Sequence, residues 1–106
     1  MNRLMNSAMM PKIGNYRCMA IHKETFADLL KNYPFESYIG YQDTANHIKR
    51  VSGVEIPLNR SQTTLEDGDC MIVCKLKYRV ASPSDKGRFT PSDSDYEYFL
   101  IEYEEG

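Results

Sequence analysis

The sequence predicts an α+β domain, with its strands in one sheet and its helices on one face. Three observations predict it. The chain has 106 residues, one domain's worth. Extended segments open and close it, with two helical patterns between them, an order that fits an α+β layer better than a regular βαβ wind. Hydrophobic residues make up 42% and charged residues 26%, near the globular average, which argues against disorder or a fibrous repeat.

Arg3 to Met10 reads as a first strand, stopped by Pro11 and by Gly14-Asn15. Tyr16 to Ile21 alternates as a second. Lys23 to Lys31 predicts a short helix, because Phe26, Leu29 and Leu30 repeat at i, i+3, i+4, and Pro34 ends it. Glu36 to Ile39 is short and extended, broken by Gly40. A second helix is expected from about Asp43 to Ser52, with Ala45, Ile48 and Val51 buried, Asn46, Lys49 and Arg50 outside, and Gly53 as its C-cap. Val54 to Leu58 is extended, with Pro57 marking an edge or bend. Gln62 to Leu65 reads as a strand joined through the turn Glu66-Asp67-Gly68-Asp69 to the longest strand, Cys70 to Val80, as a hairpin. Ser82 to Asp95 is polar, with one helical turn possible around Thr90-Pro91-Ser92-Asp93. Tyr96 to Tyr103 is the last strand, and Glu102 to Glu105 a solvated acidic end.

Charge and cysteine content narrow the function. Thirteen Lys and Arg against fifteen Asp and Glu leave a net charge of -2. That argues against a DNA-coating protein, while leaving room for a local basic pocket. Cys18, Cys70 and Cys74 are odd in number. Cys70 and Cys74 on one strand would stand about 13 Å apart, too far to bridge. All three are expected to be reduced, buried thiols of a cytosolic protein. No apolar run approaches the ~20 residues of a membrane span, and no signal peptide is expected. No His/Cys/Asp/Glu cluster has metal-ligand spacing, and no Gly-x-Ser-x-Gly nucleophile motif occurs, so neither metal nor cofactor is expected. The aromatics are eight Tyr, four Phe and no Trp.

Three stretches bear on chemistry. In Cys70 to Val80, Ile72, Cys74, Leu76, Tyr78 and Val80 share one face, the expected core face. Met71, Val73, Lys75, Lys77 and Arg79 share the other, with neighbours about 6.7 Å apart. The three cations form either an ordinary solvated sheet face or an anion site that follows successive phosphates, which Arg60 would join. Asn6-Ser7 interrupts an apolar strand, either as a strand end making local backbone contacts or as a polar rim meeting phosphate or ribose. Tyr38 to Thr44 is a strand-to-helix junction whose amides suit an anion. There Gly40 permits close approach, and Tyr41 either packs or stacks on a base.

The order and spacing of Leu4-Met5-Asn6-Ser7, Tyr38-Ile39-Gly40, Thr44-Ala45, Gly53 to Arg60, Leu65 to Asp69, Leu76-Lys77-Tyr78-Arg79 and Tyr96 to Phe99 resemble the small viral ring nucleases. These are an anti-CRISPR family of crenarchaeal viruses, phages and mobile elements. The resemblance implies a mixed, mostly antiparallel sheet of about five strands flanked by helices. It also implies a homodimer with an interface pocket for cyclic tetra-adenylate, which family members cut without a metal. Asn6, Arg60 and Arg79 match the family's first-strand Asn and two Arg. The family motif Ile-Gly-His, whose His is the catalytic acid, here reads Ile39-Gly40-Tyr41. A Tyr hydroxyl, with a reference pKa of about 10, is a poor acid near neutrality. His47 lies six residues on, about 600° around the helix, on a different face. Lys75 stands where some members carry Gln.

The resulting expectation is a viral anti-defence sponge in the host cytoplasm. It would bind and sequester a cyclic oligonucleotide through Asn6, Ser7, Gly40, Tyr41, Arg60, Lys75 and Arg79, as a homodimer or higher oligomer, with no DNA or membrane partner. The alternative is a metal-independent ring nuclease that cleaves cyclic tetra-adenylate to silence type III CRISPR signalling. A third reading is a small dimer that binds a protein or DNA.

Overall fold

The structure, a computed structural model, describes residues 2–7, 13–61, 66–77 and 92–105. The chain runs through β1 (Asn2–Met5), β2 (Gly14–Ile21), α1 (Lys23–Asn32), β3 (Phe35–Tyr38), α2 (Gln42–Ser52), β4 (Cys70–Leu76), a 3-10 turn (Asp93–Asp95) and β5 (Tyr96–Glu105). The strands form one five-stranded sheet in the order β2-β5-β4-β1-β3. β1 lies parallel to both β3 and β4, whereas β5 pairs antiparallel with β4 and β2 along longer ladders. The sheet is therefore mixed, as the sequence suggested, and three parallel strands end at one edge. The expected residues 8–10 of the first strand, the strand Gln62 to Leu65, and Tyr78 to Val80 lie outside the described residues.

Both helices pack on one face. Phe26 and Leu30 of α1 and Ala45 and Ile48 of α2 meet Leu4, Ile72, Cys74, Tyr96 and Tyr98 of the sheet. The Phe26 and Tyr98 ring centroids stand 4.7 Å apart. The periodicities behind this are simple. The i, i+3, i+4 stripe of each helix meets alternate residues of the strands, and Gly53 closes α2 in the left-handed region at φ 76°. The opposite sheet face carries a second apolar cluster of Met5, Met71, Val73, Ile101 and Tyr103, with no helical residue in it.

That second cluster corrects one expectation. Met71 and Val73 do not share a solvated cationic face with Lys75 and Lys77, because both are buried. β4 is an interior strand covered on both faces, so its first half reads as a continuous apolar run rather than an alternating one. Lys75 emerges near its end, half-buried, and Lys77 lies just past it. The hairpin is a second correction. β4 is hydrogen-bonded to β1 on one side and β5 on the other, leaving no edge for a partner from the preceding segment. The turn itself is present, with Gly68 at φ 85° and the Asp69 amide donating to the Glu66 carbonyl at 2.9 Å. It is tied to β5, where the Gly68 amide donates to the Tyr103 carbonyl at 3.1 Å and the Tyr103 amide to the Asp69 carbonyl at 3.0 Å.

The cysteines are a third correction. All are free thiols, but only Cys74 is buried, Cys70 is half-buried, and Cys18 is exposed on β2. β2 is an edge strand whose residues are only half-buried or exposed, so alternation there does not imply burial. Desolvation pushes the Cys74 thiol well above its ordinary range.

Candidate functional site

The junctions that leave β1 and β3 meet at the carboxyl ends of the parallel strands, where crevices form in sheets of this kind. β1 is followed by Asn6-Ser7, and β3 by Ile39-Gly40 and then Tyr41, the N-cap of α2. The extended segment after α2 lies against β3. The Ser37 hydroxyl donates to the Pro57 carbonyl at 2.7 Å, the Asn59 side-chain amide to the Ser37 carbonyl at 3.0 Å, and the Asn59 backbone amide to the Ile39 carbonyl at 2.9 Å. These bonds place Arg60 over the junction.

A chain of contacts then joins four of the expected residues. The Gly40 amide donates to Asn6 Oδ1 at 3.3 Å, and Arg60 Nε donates to the Gly40 carbonyl at 2.8 Å. The Arg60 guanidinium carbon stands 5.4 Å from the centroid of the Tyr41 ring, a cation–π distance. Glycine at position 40 leaves room for this approach: a Cβ there would meet Arg60 Cγ at 3.1 Å, so the arginine would have to shift by a few tenths of an ångström. With Nε engaged, the guanidinium is oriented, and its two terminal nitrogens make no hydrogen bond or ion pair among the described residues. Tyr41 is half exposed. The first intrahelical bond runs from the Ala45 amide to the Tyr41 carbonyl, so the amides of Gln42, Asp43 and Thr44 lack helical acceptors. Asp43 puts a carboxylate in that turn.

The other expected residues do not join this chain. Ser7 is exposed beside Asn6. Lys75 lies two positions past Val73, whose β1 partner is Met5, so it sits toward the same edge; its ammonium is 3.9 Å from a Glu97 carboxylate oxygen. Neither makes a hydrogen bond or ion pair with the cluster among the described residues. Arg79 lies outside the described residues.

Sequence reasoning missed a second polar constellation. His47 is fully buried on α2, its Nδ1 2.8 Å from Asp93 Oδ1 and its Nε2 2.7 Å from the Tyr98 hydroxyl. Its ring stacks on Tyr96 with centroids 3.9 Å apart. Arg50 also holds Asp93, donating from Nη2 at 2.8 Å and from Nε at 3.1 Å. The Arg50 guanidinium first, and then the His47 bond, bring the Asp93 carboxyl down to about 2. The only sequence signal was His47 standing next to Ile48 on the buried stripe, and nothing linked it to a residue 46 positions away. Among the described residues, no group of three or more His, Cys, Asp or Glu could hold a metal, and no helix is long and apolar enough to cross a membrane.

A family model described as STIV B116-like matches residues 2–103. The fold is similar to that of B116 of Sulfolobus turreted icosahedral virus, with a TM-score of 0.70 and 15% identity, covering 94% of this chain and 97% of that one. A sequence relative is the Uncharacterized protein 26 of a Sulfolobus islandicus filamentous virus, 40% identical over 57 residues, which is 54% of this chain. The match spans about half the length of that relative, 48%.

Proposed function

Because the chain belongs to the STIV B116-like family of small viral proteins, we propose that the Asn6–Gly40–Arg60–Tyr41 cluster is a phosphate-and-base site that binds a cyclic oligonucleotide second messenger and keeps it intact. One observation carries this reading: an arginine anchored through Nε to the Gly40 carbonyl, with its terminal nitrogens presented beside a half-exposed aromatic ring. A guanidinium held in this way can grip a phosphate with two parallel hydrogen bonds, each strengthened by charge. Tyr41 would stack on a base, and the side-chain amide of Asn6 would donate to a phosphate or ribose oxygen. Ser7, Lys75 and Arg79 would extend the site along the ring. A two-fold dimer would offer a symmetric ring the same contacts twice. In the host cytoplasm such a protein would act as an anti-defence sponge.

Cutting is the second reading, and Tyr41 is what separates the two. Metal-free cleavage rests on in-line placement of a ribose 2′-hydroxyl and on charge stabilisation, to which a well-matched acid adds substantially. The native protein, incubated with an excess of cyclic tetra-adenylate, is expected to return the ring uncut. Tyr41→His is expected to release linear product. Linear product from the native protein would replace sequestration with catalysis.

A further inference from the structure

We propose that the Asp93–His47–Tyr98 chain is a proton-operated latch, which fastens the start of β5 to α2 while the imidazole is neutral and loosens that contact when the imidazole takes up a proton. Its contacts fit the neutral ring, which burial favours. Ionised Asp93 only accepts, so Nδ1 carries the hydrogen. Nε2 then presents a lone pair, and the Tyr98 hydroxyl donates to it at 2.7 Å. Every buried side-chain polar atom of the described residues has a partner.

A proton arriving at Nε2 turns that acceptor into a donor. Tyr98 would have to accept instead, and its own hydrogen would lose its acceptor beside the Phe26 ring. A full charge would also stand at a residue with 0% exposure. The surrounding groups divide unevenly. Asp93 favours the charged ring but is shared with Arg50. Arg50 on α2 and Lys23 on α1 both oppose it. Cys74 on β4 is held as a neutral thiol by burial, and burial likewise keeps the Tyr96 and Tyr98 hydroxyls protonated. Glu24 of α1 and Asp43 of α2 act in the same direction on those two hydroxyls. Desolvation dominates, so the imidazole titrates below its ordinary value of 6.5. For a base with a lowered folded value, the opened state binds more protons between the two values. Stability is therefore lost as pH falls through 6.5 toward the folded value, and no further loss follows below it.

The latch also has a mechanical role. Asp93 ties the turn to α2, while the Lys77 amide, donating to the Asp95 carbonyl at 2.8 Å, ties the same turn to the end of β4. Arg50 keeps Asp93 on α2 in either state of the ring, so the contact that a proton releases is the one between Nε2 and the Tyr98 hydroxyl at the start of β5.

The test is amide hydrogen exchange of the full chain between pH 7.5 and 5, corrected for the intrinsic rate, alongside NMR titration of the His47 ring. The opening equilibrium of α2 and of residues 96–98 is expected to rise by up to about tenfold per pH unit below 6.5, the slope for one proton taken up. His47→Gln should remove that slope. Asp93→Asn, at a half-exposed side chain, should leave the onset of the rise in place and extend it to lower pH, because it removes the anion that raises the folded value. Corrected protection that is flat with pH, a ring titrating at or above 6.5, or an Asp93→Asn ring that titrates no lower than the native one would overturn the latch.

Discussion

Arg60→Ala should weaken binding of cyclic tetra-adenylate by roughly 100-fold while leaving the fold in place. Hydrogen bonds to charged groups contribute about 1.5–3 kcal/mol each, and about 1.4 kcal/mol corresponds to a tenfold change in affinity. Losing a two-pronged grip on a phosphate at each of two protomers would reach that size even if only part of the gross energy is realised. The side chain is exposed, and its one hydrogen bond among the described residues is to the Gly40 carbonyl, so the melting temperature should change little. Arg60→Lys distinguishes charge from geometry. Lysine keeps the charge but cannot make the paired contact or hold its orientation through Nε, so it should restore only a minor part of the affinity. Isothermal titration of the three proteins at one fixed salt concentration checks this. Equal affinities would remove Arg60 from the site.

Phe26→Ala should cost about 3–5 kcal/mol of stability, the usual range for deleting a buried aromatic ring and leaving a cavity. Phe26 has 0% exposure and packs between α1 and β5 against Tyr98. Domains of this size are stable by about 5–15 kcal/mol, so the loss consumes a large share of the total. With a urea slope of about 2 kcal/mol per molar, the midpoint of unfolding should fall by about 2 M. A midpoint lowered by less than about 0.5 M would mean that the core relaxes into the space, and that the helix–sheet layer is held elsewhere.

Much of the fold could be read from local pattern. The stripe Phe26, Leu29, Leu30, the left-handed Gly53 and the run Tyr96 to Tyr103 each carry their own periodicity or turn chemistry, and each element formed where that pattern placed it. What failed was whatever depended on a neighbour distant in sequence. Met71 and Val73 are buried because β1 and β5 enclose β4 and a second cluster covers its other face, which no local alternation reveals. The Asp-Gly turn was legible, but the strand it would pair with β4 was not, because β1 and β5 already hold both edges. Cys18 alternates like a core residue yet lies exposed on an edge strand.

The candidate site divides in the same way. Asn6, Gly40, Tyr41 and Arg60 were each visible as a residue type at a suggestive junction, and the bonds of Ser37 and Asn59 explain why they converge. The two faces of β4 alternate as the pattern said, with Ile72 and Cys74 on one and Met71 and Val73 on the other, but the second face is buried up to Val73 and opens only at Lys75. His47 was invisible as a polar centre, because its partners Asp93 and Tyr98 approach from the other end of the chain.

The most direct test of the central claim is calorimetric titration of cyclic tetra-adenylate into the native protein, followed by denaturation and chromatography of the released nucleotide. The account predicts saturable binding of one ring per two chains and recovery of that ring intact. No binding, or recovery of linear product in its place, would contradict it.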